Sequence, residues 1–154
     1  MQLSYVNDDI QNMLPTNNIN VGIKPPMKVL LVEDSFLLRN VIKENLADCQ
    51  EIEVEHFAAT QGNAISLLGS KQFDMLLVDI DLAQGNGFEV VKYTQKPEYP
   101  FKQPVIIMLT NHAYPYYELM AKQLGVNYFF DKSMEFDLAI ETITNEAIKF
   151  TSHH

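Results

Sequence analysis

Phe73-Asp74-Met75-Leu76-Leu77-Val78-Asp79-Ile80-Asp81 decides the fold. Five of the six residues ahead of Asp79 are apolar, Asp74 being the exception, and Gly85 and Gly87 follow closely. A run this short and this continuously apolar reads as a strand buried on both faces, the kind that parallel sheets contain. A carboxylate directly after such a strand leaves the sheet where the backbone turns away. In an open α/β sheet that edge is where ligands bind. Asp79 is therefore a candidate nucleophile, set against the commoner role of an Asp after a strand, that of turn or capping residue.

Working outward, the same pattern recurs on both sides. Lys28-Val29-Leu30-Leu31-Val32 is a strand followed at once by Glu33-Asp34, and Ser35 to Leu46 is a helix with Leu38, Val41, Ile42 and Asn45 on one side. Asp34 or Ser35 can cap that helix, and an acidic pair suits a helix N-terminus. Glu53 to Phe57 is a short second strand. Gln61, Ala64, Ile65 and Leu68 mark a helix that Gly69 ends. Beyond the central strand, a helix runs from about Phe88 to Gln95. Pro104 to Leu109 is a fourth strand ended by Thr110. A helix follows with Pro115 in its first turn, Tyr117, Met120, Ala121 and Leu124 as its stripe, and Gly125 as its stop. Asn127 to Phe130 is a fifth strand with Asp131-Lys132 after it. In the last helix Phe136, Ile140, Ile143, Ala147 and Phe150 step by four, three, four and three.

Five strands alternating with five helices imply βαβ units, a parallel sheet and right-handed crossovers. Parallel strands all end at one edge, so Glu33-Asp34, Asp79, Thr110 and Lys132 meet there. Each has a dull explanation alone. Three acids, a hydroxyl and a lysine at matching positions are hard to obtain by chance.

The flanks and the composition bound the rest. Residues 1–26 are polar, Asn-rich and closed by Lys24-Pro25-Pro26, which predicts a mobile extension. Leu3, Val6, Ile10, Met13 and Leu14 nevertheless fall at helical spacing before Pro15, so a short helix over 3–14 that docks on a neighbouring surface is the alternative. Residues 27–150 form one domain and 151–154 a tail; His153-His154 is either native or a remnant of a purification tag. Of 154 residues, 47% are hydrophobic and 20% charged, as in an ordinary globular domain. A net charge of −9 argues against broad nucleic-acid binding. No run is long and apolar enough for a membrane span, no secretory signal opens the chain, and the single Cys49 fits a reducing compartment. The expected location is the cytoplasm.

Clustered carboxylates suit a hard cation with oxygen ligands, and Mg²⁺ is usually held by one or two carboxylates plus phosphate and water. With such a cation Asp79 can attack a phosphoryl group and form an aspartyl phosphate, while Lys132 and Thr110 meet the transferring oxygens. Neither a P-loop nor a G-x-G-x-x-G occurs, which disfavours nucleotide binding, and no His/Cys cluster has zinc spacing.

Residues 27 to about 150 resemble the receiver domain of two-component response regulators, of the chemotaxis single-domain type. The matching stretches are Lys28 to Ser35, Leu77 to Leu82 with Gly87 eight residues past Asp79, Ile107 to Thr110, and Gly125 to Lys132. The resemblance implies a flavodoxin-like, doubly wound five-stranded parallel sheet of order 2-1-3-4-5. It implies that Asp79 accepts a phosphoryl group from a phosphohistidine on a sensor histidine kinase or histidine phosphotransfer protein. It implies Mg²⁺ on Glu33, Asp34, Asp79 and the main-chain carbonyl of Asp81, and a switch in which Thr110 moves inward and the aromatic Phe129 follows. Phe129 can equally be an ordinary core residue.

The chain departs from the family pattern at Ser133, where a proline with a cis peptide is common; Ser133 can instead cap the last helix. Ala83 replaces another common proline. Asp81 and His112, two past Asp79 and Thr110, occupy positions that the resemblance implies influence acyl-phosphate lifetime.

Two other classes stay open. One is a phosphatase similar to the haloacid dehalogenase group, with Asp79 as nucleophile and Asp81 as general acid. Against it, its D-x-D usually ends the first strand, no acidic pair on a further strand follows Lys132, and Glu33-Asp34 would have no role. The other is a receiver-shaped interaction module that is never phosphorylated. No DNA-binding or catalytic segment follows the last helix, so the chain is expected to be a stand-alone receiver, or one excised from a longer chain, acting on a downstream protein through contacts. Homodimer formation through the extension or the last helix is a further arrangement the pattern allows.

Overall fold

Every residue of Met75–Val78 is buried, and the strand is flanked by another on each side. The computed structural model describes residues 24–153; the extension's candidate helix 3–14 lies outside the described residues. The strands are β1 (Met27–Val32), β2 (Ile52–Ala58), β3 (Met75–Val78), β4 (Val105–Thr110) and β5 (Tyr128–Asp131). The helices are α1 (Phe36–Leu46), α2 (Gln61–Ser70), α3 (Gly87–Tyr93), α4 (Pro115–Gln123) and α5 (Phe136–His153). All strand pairs are parallel, in the order β2-β1-β3-β4-β5.

Alternation along the central strands divides the core into two layers. Leu30, Val32, Leu76, Val78, Ile106 and Met108 face one side, where Ala64, Leu68, Val90, Val91 and Ala121 cover them. Val29, Leu31, Met75, Leu77, Ile107 and Leu109 face the other, against Ile42, Leu46, Ala139, Ile143 and Ala147. Helices α2, α3 and α4 therefore lie on one face and α1 and α5 on the other. Burying this apolar surface is the dominant favourable term.

Local signals set most boundaries. Ser35 caps α1 by accepting from the Leu38 amide at 3.2 Å, and Thr60 caps α2 by accepting from the Asn63 amide at 3.1 Å. Gly125, at φ +75°, ends α4 in the left-handed conformation expected of it.

Three local expectations need correction. In α1 the buried positions are Ile42 and Leu46 with Leu38 half-buried, spaced by four. Val41 and Asn45 are exposed, and Asn45 bonds back to the Val41 carbonyl at 2.8 Å. Gly69 does not end α2, which continues through Ser70. A Cβ at Gly69 would lie 2.8 Å from the Tyr93 hydroxyl, so the glycine admits close packing of α3 on α2. Ser133 does not cap α5. It lies in a turn before the helix, with its amide and hydroxyl both bonded to Asp131 Oδ1, at 2.8 and 2.7 Å. Those bonds hold the Asp131 carboxyl below its usual range. The described residues contain no cis peptide bond.

Candidate functional site

The polar residues that follow β1, β3 and β5 and end β4 converge because backbone bonds continue the ladders past the strand ends. The Glu33 amide donates to the Ala58 carbonyl at 2.9 Å, that of Asp79 to Val32 at 3.0 Å, and that of Lys132 to Thr110 at 2.9 Å. A pocket of about 270 Å³ opens there, lined by Glu33, Asp34, Asp79, Asp81, His112 and Lys132 among others.

Lys132 is the centre of the electrostatics. Its Nζ lies 2.8 Å from Asp79 Oδ2 and 2.5 Å from Glu33 Oε1, and all three side chains are almost wholly buried. Burial pulls the ammonium pKa down, but the bonds to Asp79 and Glu33 outweigh it and hold the group above its ordinary 10.5. Burial pushes the Glu33 carboxyl up, against the opposing bonds from Lys132 and the Ser35 amide. Arg39 Nη1 donates to the Glu33 main-chain carbonyl at 2.8 Å and steadies the loop.

Carboxylate oxygens of Glu33, Asp34 and Asp79 all lie within 4.8 Å of one another. Asp34 is exposed and the other two are buried. Three carboxylates against one ammonium leave two negative charges in a half-dry pocket, a donor set that fits a hard dication. Asp79 lines the pocket, and its Oδ2 accepts from Lys132.

Three of the named side chains lie outside the carboxylate cluster. Thr110 is completely buried and its Oγ1 accepts from the His112 amide at 3.1 Å, so the hydroxyl does not line the pocket. Phe129 is half-buried against the α2–α4 side, opposite Met108 in the β4–β5 register and on the same sheet face as Thr110. The Asp81 carboxylate stands outside the acidic cluster, paired with His112 Nδ1.

Sequence reasoning gave Gly87, Gln61 and Arg39 no part in building the site. A Cβ on Gly87 would sit 2.1 Å from the Asp79 carbonyl oxygen, so only glycine lets α3 start against the backbone of the central acid. Its spacing from Asp79 was the available signal. Gln61 Oε1 accepts from the Asn86 amide at 3.1 Å and ties the exit loop of β3 to α2; nothing local foretells that contact.

Residues 29–144 match the model of the response regulator receiver domain. The chain belongs to that family, whose members are signalling domains that accept a phosphoryl group in two-component systems. It is 29% identical over 117 residues to the sensory transduction protein LytT of Bacillus cereus, a match covering 76% of this chain and 46% of that protein. The chain thus spans less than half the length of this relative. Among solved structures it is similar in fold to the Mn²⁺-bound response regulator Rcp1, with a TM-score of 0.68, 21% identity, and coverage of 84% of this chain and 97% of that one. A DNA-binding response regulator of the LuxR family from Staphylococcus aureus gives a TM-score of 0.68 at 20% identity, covering 79% and 98%.

Proposed function

We propose that this chain is a Mg²⁺-dependent phosphorylation switch. Asp79 takes a phosphoryl group from a phosphohistidine of a sensor histidine kinase or histidine phosphotransfer protein, and output passes through protein contacts. The observation that carries the proposal is Lys132 Nζ bonded to Asp79 within a pocket that holds Glu33 and Asp34. An oxygen of Asp79 bonds to phosphorus as the phosphorus–nitrogen bond breaks, and the imidazole departs with the electron pair. Lys132 orients the Asp79 carboxylate and offers positive charge to the phosphoryl oxygens. Glu33, Asp34 and Asp79 would hold Mg²⁺, with the Asp81 main-chain carbonyl added by the family resemblance; the ion supplies further positive charge against the phosphoryl group. Thr110 and Phe129, on one sheet face and adjacent strands, would be the moving pair, with the Thr110 hydroxyl exchanging the His112 amide for a phosphoryl oxygen.

The phosphatase alternative draws less support. Asp81, its general acid, is paired with His112, and the D-x-D follows the third strand in sequence. The deciding experiment is intact-mass measurement after incubation with a small acyl phosphate and Mg²⁺. The expected result is a gain of one phosphoryl group, lost in Asp79→Asn. An unchanged wild-type mass would return the chain to the class of unphosphorylated interaction modules. Steady phosphate release from a generic phosphomonoester would make it a phosphatase.

A further inference from the structure

The exits of β1, β3, β4 and β5 line the acidic pocket, with Glu33, Asp79, His112 and Lys132 among others. Among the described residues, Ala59, Thr60 and Gln61 at the exit of β2 do not. That loop grips the exit loop of β3 instead. The Ala83 amide donates to the Ala59 carbonyl at 3.1 Å and the Gln61 amide to the Gln84 carbonyl at 2.9 Å, with Thr60 bridged to Gln84. Gln61 opens α2, so its amide has no partner inside the helix and Gln84 supplies one. The Gln61 side chain adds a second hold, its Oε1 accepting from the Asn86 amide at 3.1 Å. It lies across Gly85, where a Cβ would collide with Gln61 Oε1 and Cβ and where φ is +80°. Asn86 is itself the N-cap of α3, accepting from the Glu89 amide at 3.1 Å, and it pairs with Asp81 in an antiparallel bridge. Gly87 then donates to the Ile80 carbonyl at 2.8 Å. A side chain of α2 thus holds the residue on which the loop of the central acid closes.

We propose that Gln61 is a positioning residue for the metal site: through Asn86 it fixes the backbone at Asp81, and so sets the affinity for Mg²⁺. This role rests on the switch reading above and adds to it a residue that touches neither the cation nor the phosphoryl group. Without Oε1 the Asn86 amide turns to water, and the loop is closed by its bridge to Asp81 alone. A main-chain carbonyl is a neutral ligand, and its worth depends on how firmly the backbone behind it is held. Asp79 is held separately, by Lys132 and by the bond from its amide to the Val32 carbonyl. Loss of Gln61 therefore falls on cation affinity and leaves the attacking carboxylate in place.

Hydrogen exchange and calorimetric titration with Mg²⁺ on the full chain test this. In metal-free Gln61→Ala the Asn86 amide should exchange several-fold faster, while the amides of Met75–Val78 keep their protection. The Mg²⁺ dissociation constant should rise about fivefold, the scale of one hydrogen bond. The half-saturating Mg²⁺ for labelling by a small acyl phosphate should rise equally, with the labelling rate at saturating Mg²⁺ nearly that of the wild type. Gln61→Met fills the same space without an oxygen acceptor and should behave like Gln61→Ala. Gln61→Glu keeps Oε1 and should restore the protection of Asn86. Unchanged Mg²⁺ affinity in Gln61→Ala overturns the proposal and, where the wild type is labelled, leaves the switch reading standing. Wild-type affinity in Gln61→Met assigns the effect to packing and overturns it as well. So does labelling that slows at every Mg²⁺ concentration with the half-saturation unmoved. A wild type that binds no Mg²⁺ overturns this role together with the metal dependence of the switch. A wild type that binds Mg²⁺, loses affinity in both variants and yet takes no phosphoryl group upholds the role of Gln61 and sinks only the switch.

Discussion

The two ends of one parallel sheet carry opposite chemistry. At the C-terminal edge Glu33, Asp34, Asp79 and Lys132 share a pocket, with two carboxylates and an ammonium almost wholly out of water. At the N-terminal edge the recess beside Met27, Val105 and Phe150 is apolar, and its acids are spent on a backbone amide, a tyrosine and a surface lysine. The same strands supply both ends, so hydrophobicity along a strand cannot be the cause. Strand polarity is: parallel connections bring every strand's exit loop to one edge and every entry loop to the other. Reactive groups concentrated on exit loops are held by the ladder, while entry loops are left to close the core.

The sharpest way to break this contrast is Asp79→Asn, expected to eliminate acyl-phosphate labelling by intact mass; labelling that persists would place the acceptor elsewhere. Next is Lys132→Met, which leaves Glu33 and Asp79 buried without their cation. Destabilisation by about 4 kcal/mol is expected in urea unfolding, with part regained on adding Mg²⁺. A loss under about 1 kcal/mol would mean the pair is effectively solvated. The same variant sharpens the electrostatics. Lys132 is held above its ordinary 10.5, so its stabilisation is complete below that value and is lost as pH rises through the higher folded value. Tyr99 and Tyr128 are also pushed up, Tyr99 chiefly by burial and Tyr128 chiefly by the bond to Glu146. Their contribution also falls with alkali, so the wild type should lose stability faster than Lys132→Met, and the difference belongs to Lys132. Parallel curves would contradict the ion-pair geometry.

Gly87→Ala drives a Cβ against the Asp79 carbonyl. A cost of roughly 2–3 kcal/mol and slower labelling are expected by thermal unfolding and mass; unchanged labelling would separate the α3 start from the acceptor. At the opposite edge, Lys149→Ala removes an exposed lysine from its pair with the half-buried Glu146. It should leave the urea-unfolding midpoint nearly unchanged and labelling not changed at all. Slowed labelling there would show the two edges to be coupled.

The legible parts of the fold were those written in consecutive or evenly spaced residues. The buried run of β3, the stripe of α5 and the stop at Gly125 needed only neighbours in sequence. Gly69 was misread because the atom that demands it, the Tyr93 hydroxyl, comes from another helix. The α1 stripe was drawn one residue off, with Val41 added and Asn45 in place of Leu46, because Val41 is apolar yet unpartnered by the sheet, while Leu46 closes the layer. At the site, the convergence of Glu33, Asp34, Asp79 and Lys132 was readable from strand ends. The turning of Thr110 toward the His112 amide was not, since a strand-end hydroxyl has no local signal for its rotamer.

Periodicity and punctuation along the chain were enough to determine alternating strands and helices, hence a parallel sheet, hence one edge bearing the acids, the hydroxyl and the lysine. Only the tertiary structure decided that a lysine 99 residues from Glu33 would stand between that carboxylate and Asp79, with Asp34 outside in water and Asp81 drawn off by His112. The reason is range. Hydrophobic period is set by residues three or four apart, whereas a bond of 2.5 to 2.8 Å between side chains depends on strand register, loop path and burial acting together.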